Sequence, residues 1–216
     1  MLFLRSFSDD ERIQYWSSDL NSEMSFMDFS LESRIATHFN ASGPFIAVGS
    51  PRAMLPAVGA ARAALSDQEW QGRVLEWMDR SCLIVLIAGT THWISWELRE
   101  VVERDHAKKL ILLFPNQQQS RLWSWSIASR WSGDFNTRVR IATVIEAFRG
   151  TAWERALRDI SQGPGERRIR SIVFAAGGGA TVVRSKSDNR NASHLAALVA
   201  HYVVIRSSPN PNTVSE

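Results

Sequence analysis

The segment that most constrains this chain is Cys82–Glu103, CLIVLIAGTTHWISWELREVVE. Its opening run, Cys82 to Ala88, is wholly apolar and rich in Ile, Val and Leu. A run so short and without polar alternation predicts a central strand of a parallel sheet, buried on both faces. Gly89, Thr90 and Thr91 break it, and either threonine can cap a helix by accepting a backbone N–H bond. From Trp93 the period becomes helical. Ile94, Leu98 and Val101, with Val102 beside them, form a stripe that would face a sheet. Trp93, Trp96, Glu97 and Glu100 fall at i, i+3, i+4 and i+7 and share a neighbouring face. Trp93 and Glu97 thus stand one above the other just past the carboxyl end of a buried strand, where open α/β sheets bind ligands.

The rest of the chain supports the same class. Leu2 to Phe7 reads as a first strand, ended by the acidic turn Ser8-Asp9-Asp10-Glu11. Ser30 to Phe39 reads as a helix and Phe45 to Val48 as a second strand, stopped by Gly49, Ser50 and Pro51. Arg52 to Leu65, with Pro56 and Gly59, reads as a long loop. Ser66-Asp67-Gln68-Glu69 is a capping-box signature for a helix carrying Trp70, Val74, Trp77 and Met78 on one side. Lys109 to Phe114 is a further strand, closed by Pro115. Thr137 to Phe148 and Ala152 to Ile160 read as helices. Arg170 to Ala175 and Ala180 to Arg184 flank Gly177-Gly178-Gly179 as a hairpin. Ser193 to Val203 reads as a last helix, and residues 207–216 as a disordered tail. Strand–helix–strand alternation predicts an α/β fold with a central, mostly parallel sheet covered by helices.

Composition narrows the function classes. A length of 216 residues, 44% of them apolar and 22% charged, suits one globular domain. A net charge of +3 is too small to predict nucleic-acid binding. The longest apolar runs fall far short of the roughly 20 residues that span a bilayer, so no membrane insertion is expected. Cys82 is the single cysteine and falls inside the expected core strand. With no signal peptide before Leu2, a reducing, cytoplasmic setting is expected. The five histidines are scattered, without metal-ligand spacing. No Walker or GxGxxG fingerprint occurs, so phosphate recognition would fall to arginine forks. Arg5, which with Ser6 and Phe7 would line the carboxyl end of the first strand, and Arg52, on the loop after the second, are the candidates for that contact. Arg5 in a core-type strand needs a partner: a ligand, or Asp9, Asp10 or Glu97. The plainest reading of Glu97 is a solvated carboxylate on an exposed helix face, and that of Trp93 and Trp96 is packing.

Three pieces, in order and in register, resemble a Toll/interleukin-1 receptor (TIR) domain of the bacterial, TIR-like kind. They are Ser6-Phe7-Ser8-Asp9-Asp10 at the end of the first strand; Arg52, Leu55, Pro56 and Gly59 in the loop after the second; and Trp93-Ile94-Ser95-Trp96-Glu97-Leu98, similar to the family's Trp-x-x-x-Glu-(Leu/Ile) motif. The likeness covers about half the chain, residues 1–116, within a single expected domain of residues 1–206 whose part 117–206 diverges. Arg5 replaces the family's usual apolar residue, and the second loop is longer.

The resemblance implies a flavodoxin-like, three-layer fold with a C-terminal strand hairpin and helix. It implies NAD+ glycohydrolysis in bacterial defence or toxicity, with NAD+ as substrate and no prosthetic group. Glu97 would be the catalytic carboxylate. Trp93 and Trp96 would stack on a base, and Arg5, Ser6, Phe7 and Arg52 would line the cleft. Self-association through TIR-like surfaces is also implied. Rival readings are a non-catalytic TIR-like interaction module, with Met54, Leu55 and Pro56 exposed and Glu97 taken up by Arg5; a nucleoside deoxyribosyltransferase-like enzyme; and a nucleotide-signal sensor.

Overall fold

A computed structural model describes residues 1–5, 44–48, 61–63, 69–114, 128–164 and 169–184, with side chains from residue 137 onward in the helix that begins at Ala128. Within these residues the chain is an α/β sheet protein. The strands are β1 (Leu2–Leu4), β2 (Ile46–Val48), β3 (Ala61–Ala63), β4 (Ile84–Ile87), β5 (Leu110–Leu113), β6 (Ile169–Phe174) and β7 (Ala180–Arg184). They form one sheet in the order β3-β2-β1-β4-β5-β6-β7. The first five in that order run parallel, and β6 and β7 return antiparallel. The helices are α1 (Trp70–Arg80), α2 (His92–Glu103), α3 (Ala128–Ala147) and α4 (Glu154–Gln162).

The expected central strand is present, and Ile84 to Ile87 are at most 1% exposed. It pairs with β1 through Leu4↔Leu86 and with β5 through Ile87↔Leu113, so it has no free edge. Alternation splits its neighbours into two cores. Leu2, Leu4, Ile84, Leu86, Leu110 and Leu112 pack with Val74 and Met78 of α1, Ile94, Leu98 and Val101 of α2, Ile141, Val144 and Phe148 of α3, and Leu157 and Ile160 of α4. Phe3, Val85, Ile87, Ile111 and Leu113 lie on the opposite face and are buried as well. Burial on both faces is what an unalternating apolar strand requires, and each such side chain contributes roughly 1.5–3 kcal/mol.

Two expectations are corrected. Cys82 is exposed, because β4 begins only at Ile84 and Ser81–Leu83 still belong to the turn leaving α1. The loop expected over Arg52 to Leu65 contains β3, whose residues Ala61-Arg62-Ala63 pair in register with Ile46, Ala47 and Val48. The helices expected over Ser30–Phe39 and Ser193–Val203, and the tail, lie outside the described residues. The glycine turn is borne out: β6 and β7 form an antiparallel hairpin. Gly178 has φ +87°, and a Cβ there would stand 2.5 Å from the Ala152 carbonyl oxygen. The Trp153 Nε1–H donates to the Ala175 carbonyl (2.8 Å), fastening the hairpin to the corner between α3 and α4.

The amino edge of the sheet is held by a polar clamp. Asp79, at the end of α1, takes His106 Nε2 at 2.8 Å and Arg104 at 2.9 Å. Lys109 donates to the Met78 carbonyl (2.6 Å), one of the last carbonyls of α1, which a helix end otherwise leaves unpaired. This clamp stands at the end of the sheet away from the candidate site. Among the described residues, no helix is long and apolar enough to cross a membrane.

Candidate functional site

The strand order fixes where a site can lie. β2 and β3 lie on one side of β1, and β4 and β5 on the other. β1 and β4 are therefore the neighbours between which the winding reverses, and their carboxyl ends open the crevice that ligands use in such sheets. Arg5 leaves β1 at that point, and Ala88 to Thr91 leave β4 beside it.

The turn from β4 into α2 is built by small residues. A Cβ on Gly89 would come within 3.1 Å of Ile94 Cγ1, so the backbone passes close over the first turn of the helix. Thr91 is the N-cap, and its hydroxyl accepts the Ile94 N–H at 3.4 Å. Of the two threonines the sequence offered, Thr91 is the one used. The Ile94, Leu98 and Val101 stripe is buried, as its spacing predicts.

Glu97 departs from the plain reading of a solvated helix carboxylate: it is only 3% exposed. Its Oε2 is buried and has no hydrogen-bond partner among the described residues. Desolvation pushes its pKa up from 4.5 to about 8. The ion pair with Arg5 weighed from the sequence would hold that pKa down. A carboxyl in this state can do two things: donate its proton when neutral, or place an uncompensated negative charge in a dry site when ionised.

Trp93, one helical turn before Glu97, is 47% exposed and is the large apolar side chain most open to solvent among the described residues. It meets Trp70, the first residue of α1, edge-to-face at 4.9 Å. Trp70 also meets Trp96 at 5.2 Å. The result is a three-indole wall at the sheet's carboxyl edge, reached from two helices. The Trp70 indole N–H is buried and makes no hydrogen bond among the described residues.

Of the residues singled out from the sequence, Glu97, Trp93 and Trp96 share one helix, and Arg5 stands at the neighbouring strand end. Ser6, Phe7 and Arg52 lie outside the described residues. Sequence reasoning passed over Trp70, Arg140 and Arg170. Arg140, on α3, is 5% exposed and donates through Nη1 to the Ala88 carbonyl. Arg170, in β6, is also 5% exposed. Both interrupt apolar runs (Val139-Arg140-Ile141, Ile169-Arg170), the signal that had drawn attention to Arg5. Among the described residues no group of three His, Cys, Asp or Glu is placed to hold a metal ion. No family model, curated protein or solved structure matches the chain.

Proposed function

We propose that this chain is a TIR-like, flavodoxin-like domain that cleaves the ribose–nicotinamide bond of NAD+, with Glu97 as the catalytic carboxylate. One observation carries the reading: the carboxyl that the Trp93-to-Glu97 motif singles out is buried and without a partner for Oε2, beside an indole wall at the sheet's switch point. Set β3 aside, and β2-β1-β4-β5 follows the order of a flavodoxin-like core; the antiparallel β6 then stands where a fifth parallel strand would run.

The chemistry follows from charge. Breaking the bond at ribose C1 develops an oxocarbenium-like cation, and an ionised carboxylate in a dry site stabilises it strongly. The nicotinamide ring is cationic in NAD+ and leaves neutral, so no second carboxyl is needed as an acid. Bringing that ring near Glu97 favours ionisation, so binding itself expels the proton that burial retains. Trp93 offers its open face to the base. Water attack at C1 gives ADP-ribose; attack by the adenine ring gives a cyclic product.

Glu97 is closed to solvent, so turnover requires the site to open. We place that opening in self-association, and the biological role in bacterial defence or toxicity within the cytoplasm. The test is nicotinamide release from NAD+ by the purified chain over a range of protein concentrations. Specific activity that rises with concentration is expected. Absence of release at every concentration, with NAD+ binding intact, would turn the reading to a sensor.

A second reading draws on one observation, the burial of Glu97, which pushes its pKa up to about 8 and favours the neutral carboxyl. A neutral carboxyl suits general-acid departure of a nucleobase, as in a deoxyribosyltransferase-like enzyme. Base exchange between deoxyribonucleosides without NAD+ loss would mark it.

A further inference from the structure

Glu97 stands in a triangle with two indoles. Trp93, Trp96 and Glu97 fall at i, i+3 and i+4 on α2, so their side chains are mutual neighbours. Trp70 meets both of the other corners, with ring centroids 4.9 Å from Trp93 and 5.2 Å from Trp96. An indole seated across two corners covers the third. Trp70 belongs to α1, so this cover is carried by a different element from Glu97 itself. The closed arrangement is poor in polar terms. The Trp70 indole N–H and Glu97 Oε2 are both buried, and neither has a hydrogen-bond partner among the described residues. Leaving such atoms unmet is costly, and an opening that admits water or a ligand recovers that cost.

The two ends of α1 are fastened unequally. From Val74 onward the helix is anchored: Val74 and Met78 are fully buried, and the Ser81 N–H closes on the Trp77 carbonyl at 2.9 Å. Asp79 holds His106 and Arg104, and Lys109 holds the Met78 carbonyl. The first turn is held by less. Glu69, at the N-cap position, makes no side-chain cap hydrogen bond. Gln71, Gly72 and Arg73 are exposed, and Trp70 packs back onto the core. The Arg73–Glu76 ion pair is exposed and stays within the helix, so it adds little. A Cβ on Gly72 would meet nothing within 4 Å, so packing does not call for glycine there. Proline apart, glycine is the residue that weakens a helix most. The first turn is therefore the part of α1 that can open locally while the rest stays docked.

We propose that the first turn of α1 is a lid over Glu97, with Trp70 as its closing residue. Opening of the turn takes Trp70 off Trp93 and Trp96 and bares the carboxyl to a ligand whose base stacks on the open face of Trp93. The lid is a property of α1 and α2; that it opens onto a reacting group rests on the glycohydrolase reading. Trp70 itself is a positioning residue, since it acts through the access it gives to Glu97. A weak first turn on a firmly docked helix lets the lid move without disturbing the core beneath it.

The experiment compares full-length wild type, Gly72→Ala, Trp70→Ala and Trp77→Ala. Amide hydrogen exchange is followed at Arg73, whose N–H closes the first turn on the Glu69 carbonyl at 3.1 Å, and at Ser81, at the anchored end. Arg73 should exchange faster than Ser81. Gly72→Ala should slow Arg73 about two- to fivefold, the helix preference of alanine over glycine, and leave Ser81 unchanged. The titration of Glu97 is read by carbon-13 NMR of its carboxyl. In Trp70→Ala its pKa should fall by about one pH unit or more, toward 4.5, as water reaches it. Trp77→Ala, on the same helix away from the lid, should leave it in place. An Arg73 amide as protected as that of Ser81, or unmoved by Gly72→Ala, overturns the lid. So does a Glu97 titration unchanged by Trp70→Ala, or lowered equally by Trp77→Ala. Nicotinamide release from NAD+ is then compared in wild type and Gly72→Ala. A lid that gates the site should lower kcat/KM in the variant by the same two- to fivefold; an unchanged value beside slowed exchange overturns the gating. If NAD+ is not cleaved while exchange and titration behave as expected, the glycohydrolase reading fails and the lid stands. Should Trp70→Ala not fold, Gly72→Ala decides alone.

Discussion

Glu97→Gln tests the unusual carboxyl without reference to any substrate. In the folded chain Glu97 keeps its proton up to about pH 8, against 4.5 ordinarily. Between those values the folded state holds one more proton than the unfolded state. Stability from this group is therefore complete below about pH 4.5 and is lost as pH rises to about 8. The whole difference corresponds to roughly 4–5 kcal/mol, with a slope approaching 1.4 kcal/mol per pH unit. Glutamine has nearly the same shape and does not titrate, so the substitution removes the slope and leaves the packing. Urea unfolding of both proteins between about pH 5 and pH 9 measures this directly. The variant should match wild type at the acid end and exceed it by several kcal/mol at the alkaline end. Parallel profiles would mean that Glu97 ionises freely in the folded chain, and the argument from burial would be refuted.

Further expectations concern the site and the hairpin. If the ionised carboxyl is the reacting form, kcat/KM for NAD+ should rise about tenfold per pH unit below about pH 8 and level off above; a fall over the same range would identify Glu97 as an acid and favour nucleoside chemistry. Trp93→Ala removes an exposed indole, so it should cost no more than about 1–1.5 kcal/mol of stability by urea unfolding while raising KM for NAD+. Gly177 and Gly178 both have positive φ, but only at Gly178 would a Cβ strike a backbone carbonyl. Gly177→Ala should therefore cost about 1–2 kcal/mol, and Gly178→Ala distinctly more, by the same assay.

Much of the framework was legible because its signals were local. The Cys82–Ala88 run, the threonine cap and the Ile94, Leu98, Val101 stripe each follow from period and turn chemistry, and β4 and α2 form where they predict. β3 was not legible, since Ala61-Arg62-Ala63 carries no β-branched residue and its alternation is only three residues long, and its partner β2 supplies the order. Cys82 was misplaced because an apolar residue before a strand looks like part of it. The site was half legible. Glu97 and Trp93 are joined by helical spacing, which a sequence displays. Trp70, against Trp93 and Trp96, and Arg140, on the Ala88 carbonyl, come there only through helix packing, which spacing does not display. The burial of Glu97 was likewise invisible, because its helix position is compatible with a solvated face until α2 docks on the sheet.

The measurement that bears most directly on the central claim is nicotinamide release from NAD+ by wild type and Glu97→Gln, at a protein concentration where wild type turns over and both are shown to be folded. Loss of about 10³-fold or more, some 4 kcal/mol of transition-state stabilisation, is the result predicted for a carboxylate that faces the developing ribose cation. Turnover undiminished by the substitution would contradict it and remove Glu97 from the chemistry.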